Sequence, residues 1–83
     1  MTLISEVNSH FSSSDIALIA ALCLCGYEVE VIDRENPSRA QFYIKRDSRL
    51  DELVQNYFLH RLQVEPMSYF SRLKELKTRI YHI

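Results

Sequence analysis

Apolar positions along this chain change their period, and each change marks an element. From Ile16 to Cys25 every position is apolar. The run follows Phe11-Ser12-Ser13-Ser14-Asp15, which reads as a helix start with Ser12 as N-cap, Asp15 answering it, and Phe11 stapled onto Ile16. Gly26, the only glycine, ends the helix where a left-handed residue costs least. The helix predicted over Ser13 to Cys25 turns about 100° per residue. Ile16, Leu18, Ile19 and Leu22 therefore share one side, and Ala17, Ala20 and Ala21 the other. Both sides are apolar, so the helix is expected between two layers. A membrane-spanning helix needs about 20 apolar residues, which this run does not reach.

From Tyr27 to Val31 the period drops to two, as in a strand with one wet face. Tyr27, Val29 and Val31 are expected to point inward. Arg34-Glu35-Asn36-Pro37-Ser38 supplies turn chemistry, and Ala40 to Lys45 alternates again with Ala40, Phe42 and Ile44 inward. So short a connection predicts an antiparallel hairpin. Ser48 with Asp51 repeats the capping pattern, and Leu50, Leu53, Val54, Tyr57, Phe58 and Leu62 follow at helical spacing. That second helix is predicted over Arg49 to Leu62. Pro66 disfavours helix at Glu65 but suits the first position of a third helix reaching about Tyr81. Its core stripe is Tyr69, Leu73, Leu76 and Ile80, with Phe70 beside it. The expected fold is α+β, one domain over 1–83 in the order α-β-β-α-α. Residues 1–11 form an N-terminal extension and 12–81 the core.

Composition agrees with a packed domain. The chain has 83 residues, 47% hydrophobic and 25% charged, which leaves room for one core and speaks against disorder. Its net charge of -1 conceals an asymmetry: by formal count residues 1–44 carry -4 and residues 45–83 carry +3. Such a dipole attracts an acidic partner to the C-terminal half, or a second copy. Cys23 and Cys25 lie within the most apolar stretch, as reduced thiols of a cytoplasmic protein do. The N-terminal segment lacks the cations of a signal peptide, and no membrane association is expected.

Enzyme chemistry finds little support. One glycine leaves no phosphate-cradling loop and no nucleophile elbow. Cys23 and Cys25, two apart on a helix, diverge by about 200° and cannot converge on one metal ion. His10, His60 and His82 are scattered, without a paired base or nucleophile. Ser12, Ser13 and Ser14 are better explained by capping. The chain is expected to be no enzyme and to need no cofactor.

Two binding readings remain. In the first, two copies pair through an exposed hairpin edge, helped by the small face of Ala17, Ala20 and Ala21, by Leu59 on a polar helix face, and by Tyr43 on the outward side of its strand. This homodimeric binding or assembly module is the preferred expectation. In the second, Arg46, Arg49, Arg72, Lys74, Lys77 and Arg79 contact nucleic acid. Arg72 and Arg79 project on one flank of the third helix and Lys74 and Lys77 on the other, roughly 150° apart, which weakens that alternative.

A small-residue helix ending in glycine and an aromatic (Ala17 to Tyr27) precedes a hairpin whose second strand is Phe42-Tyr43-Ile44. With the closing phrase Val64-Glu65-Pro66, Tyr69-Phe70, Leu73 and Leu76-Lys77-x-Arg79, the chain resembles a family of short bacterial and phage proteins catalogued as a domain of unknown function. The similarity covers roughly residues 14–81. It implies the same helix, hairpin, two-helix fold and a phage or mobile-element context, with no catalytic residue to carry over.

Overall fold

The computed structural model describes residues 9–81; His82 and residues 1–8 of the anticipated extension lie outside them. The elements are β1 (His10–Ser13), α1 (Ile16–Leu24), β2 (Val29–Asp33), a 3-10 turn (Pro37–Arg39), β3 (Gln41–Lys45), α2 (Ser48–Phe58) and α3 (Pro66–Tyr81). The expected α+β order is present, with one addition. The hairpin of β2 and β3 gains a third antiparallel strand, β1, giving the order β1-β3-β2. β1 pairs Phe11 with Ile44 and Ser13 with Phe42, and the Arg46 amide donates to the Ser9 carbonyl at 2.7 Å beyond the strand's end. Phe11 is thus a sheet residue packed against the core and not a helix staple.

With the serines drawn into or beside β1, the cap of α1 passes to Asp15. Its Oδ1 accepts from the Ala17 and Leu18 amides at 3.1 and 3.3 Å, while Ser13 Oγ accepts from the Asp15 amide. The helix starts at Ile16 because a carboxylate at Asp15 satisfies two orphan amides that Ser12, now in a strand, cannot reach. α2 repeats the substitution: Asp47 caps it, accepting from the Leu50 amide at 2.8 Å, and Asp51 instead takes a forked bond from Arg46. Glu65 caps α3 with both oxygens, accepting from the Met67 and Ser68 amides at 3.1 and 2.7 Å.

α1 and α2 end in the same way. After α1, the Gly26 amide donates to the Cys23 carbonyl and the Tyr27 amide to the Leu22 carbonyl. After α2, His60 donates to Tyr57 and Arg61 to Asn56. Both are Schellman closures, which need a left-handed residue. Gly26 meets that need at φ 106°, whereas His60 adopts φ 59° with a side chain to accommodate. The turn at His60 stops α2 at Phe58, short of the expected Leu62.

β2 departs from strict alternation. Val29 pairs with Ile44 but Val31 with Tyr43, so Glu30 is an extra residue, a bulge. Past it the faces exchange: Ile32 turns to the core, and Val31, expected inward, is 55% exposed. β3 keeps its pattern, with Ala40, Phe42 and Ile44 buried.

The core joins Leu18, Ile19, Leu22, Phe42, Ile44, Leu50 and Leu76, all fully enclosed. α1 is buried around its circumference, including Ala20 and Ala21, and so occupies the middle of the domain as its two apolar faces require. α3 crosses close to it: the Tyr69 hydroxyl donates to the Ala17 carbonyl at 3.1 Å. Small side chains at Ala17, Ala20 and Ala21 make room for that approach.

Candidate protein-docking surface

The cations anticipated for nucleic acid are dispersed. Arg46 is engaged by Asp51 at 3.0 Å and Arg72 by Glu75 at 3.2 Å. The Arg49 guanidinium lies over the Tyr27 ring, 5.6 Å from its centroid, beside the Asp47 carboxylate that accepts from the Tyr27 hydroxyl. Arg72 and Arg79 do come together, as their spacing requires: with Cys23, Gly26, Tyr27, Glu28 and Val29 they line a cleft of about 280 Å³. Arg34 donates to the Arg79 carbonyl at 3.1 Å. Glu28 enters the same cleft, and the C-terminal carbonyls of α1 add negative potential there, so the two arginines are substantially compensated. Cys23 also faces that cleft. Burial, outweighing the opposing pull of Arg72 and Arg79, pushes its thiol above the ordinary range. Both cysteines are free.

The residues anticipated for self-association fare unevenly. Ala20 and Ala21 are enclosed by the chain's own core and Ala17 lies beneath the Tyr69 bond, so this small face is already occupied. Tyr43 is half-buried on the outer face of the sheet. One edge of β3, open in a two-stranded hairpin, is closed by β1. Leu59 alone among them stands well exposed.

Leu59 has company. Phe58, Met67 and Phe70 are 60%, 72% and 60% exposed, and all lie where α2 ends or α3 begins. Phe58, grouped by spacing with the apolar positions of α2, is that helix's last residue and lies at the edge of its buried arc, about 80° from Leu50, where its ring is exposed. Phe58 meets Tyr57 edge to face with ring centroids 5.2 Å apart, and Phe70 meets Tyr69 at 6.4 Å. The two tyrosines are neighbours near the start of α1. Burial first, then the negative charge of Asp15, raises both hydroxyls above the usual tyrosine range, and Tyr69 adds to the effect on Tyr57. Tyr57 and Tyr69 are thus half-buried, and each has an exposed phenylalanine beside it, Phe58 and Phe70 respectively.

Along α3 the exposed surface continues with a regular step. Met67, Phe70, Lys74, Lys77 and Tyr81 are all exposed and recur at intervals of three and four, an arc of about 80° on the helix. The buried stripe of Tyr69, Leu73, Leu76 and Ile80 lies beside it. Leu24 lines a second cleft with Met67, Ser68, Ser71, Arg72 and Glu75, so the end of α1 reaches the Met67 edge of the exposed stripe and the Arg72 flank, and Phe70 lies outside that cleft. Helical spacing in the sequence carried this outer stripe, but Phe70 read there as an adjunct of the core.

Among the described residues, no group of three His, Cys, Asp or Glu is placed to hold a metal ion, and no helix is long and apolar enough to cross a membrane. The chain matches a family model, described as "Domain of unknown function (DUF5659)", over residues 8–82. No curated protein and no solved structure matches it.

Proposed function

Because the chain belongs to the DUF5659 family, whose description assigns no activity, we propose from its surface that it is a small non-enzymatic protein-binding module. The observation that carries this reading is the exposed set Phe58, Leu59, Met67 and Phe70 on a domain whose core is complete without them. Single exposed apolar residues are ordinary, but Met67, Phe70 and Tyr81 recur on one face of α3, and aromatic residues and methionine are enriched where proteins meet. The self-pairing expected from the sequence loses two supports, since the alanine face is buried and β1 occupies one edge of β3. The reading is therefore of a partner with a different sequence. Nucleic acid is the weaker alternative, because Arg46, Arg49 and Arg72 are engaged by Asp51, Tyr27 and Glu75. Free thiols at Cys23 and Cys25 fit a reducing compartment such as the cytoplasm, and the sequence resemblance adds a phage or mobile-element setting.

A photo-crosslinking amino acid placed at Phe58, Met67 or Phe70, in cells that make the protein, tests this. The same discrete adduct at all three positions, absent from a control placed at Asp33, is expected. No adduct, or equal yield at Asp33, would remove the reading. Mobility shifts at two salt concentrations address the alternative, because phosphate contacts give a steep salt dependence.

A further inference from the structure

We propose that the outer stripe of α3 docks an acidic amphipathic helix of a partner protein and not a second copy of this chain. The inference rests on the protein-binding reading above and names its partner. Met67, Phe70, Lys74, Lys77 and Tyr81 recur at the three-and-four spacing that a second helix covers when it lies along the first. They span about 21 Å at 1.5 Å per residue, enough for roughly four turns of a partner helix.

Charge selects the occupant. Lys74 and Lys77 sit between the apolar ends of the stripe, Met67 and Phe70 on one side and Tyr81 on the other, so a helix covering the apolar groups must meet two ammonium groups. Glu75, the one acidic residue within α3, is turned to Arg72 and does not neutralise them. Two copies of α3 laid together, parallel or antiparallel, would oppose lysine to lysine at the centre of the contact, which disfavours self-pairing. Nor does this chain offer an acidic helical stripe to a second copy: α1 has no charged residue, and in α2 Asp51 is engaged by Arg46, leaving Glu52 alone. A glutamate-rich apolar helix satisfies both the greasy ends and the cationic middle, as lysine stems also pack along apolar surface while their heads pair with carboxylates.

The test uses two labelled synthetic helices of about 18 residues, each with leucines at three-and-four spacing, one flanked by glutamates and the other by lysines. Fluorescence anisotropy against the full chain is expected to show the glutamate helix binding about tenfold or more tightly than the lysine helix, with the advantage shrinking in high salt. The Lys74→Glu, Lys77→Glu double variant should reverse the preference, its fold checked by circular dichroism. Equal binding of the two helices, binding of neither, or a reversal-insensitive preference would overturn the proposal. So would a wild-type dimer in sedimentation that Phe70→Ser dissociates, since that puts a second copy on the stripe. Crosslinks at Phe70 combined with no preference between the helices would leave a protein-docking surface standing and remove the acidic helix; no crosslinks at all would remove both.

Discussion

Tyr27 donates its hydroxyl to Asp47 Oδ1 at 2.6 Å, joining the residue that closes α1 to the residue that caps α2. That bond, followed by the Leu50 amide, holds the Asp47 carboxyl below the usual aspartate range. A carboxyl lowered by folding stabilises the fold above its unfolded value, and the contribution is lost as pH falls through the lowered folded value. Unfolding free energy should therefore decline below about pH 4, and Asp47→Asn should flatten part of that decline. Part will remain, because the Glu65 carboxyl is also held low, by Ser68 and the Met67 amide. Urea titrations from about pH 2 to pH 6 measure the difference; identical acid profiles for both proteins would refute the role given to Asp47.

The two Schellman closures make opposite predictions. A side chain at Gly26 would touch nothing within 4 Å, so Gly26→Ala carries only the backbone cost of a left-handed residue, about 1 kcal/mol. His60 already bears that cost, and His60→Gly should stabilise the domain by a similar amount, less the entropy glycine adds to the unfolded chain. Thermal melts of the two variants should move in opposite directions.

The bulge at Glu30 predicts which neighbour matters. Val31→Ala, on the exposed side, should change stability by less than about 0.5 kcal/mol. Ile32→Ala, packed against the core, should cost about 2 kcal/mol. Strict alternation would give the reverse order, so chemical denaturation of this pair reads the register directly.

Thiol labelling should be biphasic. Cys23 is buried with its thiol pushed up, and Cys25 is half-buried just past the end of α1. One equivalent of a disulfide reagent should react in the native state, mapping to Cys25, and the second only on unfolding. Rapid loss of both thiols would contradict the enclosed position of α1.

Much of this fold was legible in the sequence because its elements carry strong periodic signals. The apolar run from Ile16, the alternation from Ala40, and Pro66 each sufficed to place an element. β1 was not legible, because four residues reading His-Phe-Ser-Ser form a strand only when β3 lies alongside, and serines serve equally well as caps. The caps themselves were misplaced by a few positions since serine and aspartate compete for the same orphan amides, and Asp15 and Asp47 prevailed. The outer position of Phe58 was hidden for a related reason. Helical spacing groups it with the buried residues but at the edge of their arc, about 80° from Leu50, and the left-handed turn at His60, a residue with no glycine-like signature, ends α2 just beyond it. In the candidate surface, Leu59 was recognisable as an apolar residue on a polar face; the exposure of Phe58, Met67 and Phe70 emerged only once the buried sides of α2 and α3 were known.

The central claim is that the exposed apolar residues of α3 serve contact with a partner while the buried ones hold the fold. Leu76, fully enclosed, and Phe70, on the outer stripe, separate the two roles within one helix. Denaturant unfolding of Leu76→Ala and Phe70→Ser measures this most directly. The expected result is a loss of about 2–5 kcal/mol for Leu76→Ala and a change within about 0.5 kcal/mol for Phe70→Ser. A loss at Phe70 as large as that at Leu76 would make its ring part of the core and contradict the account.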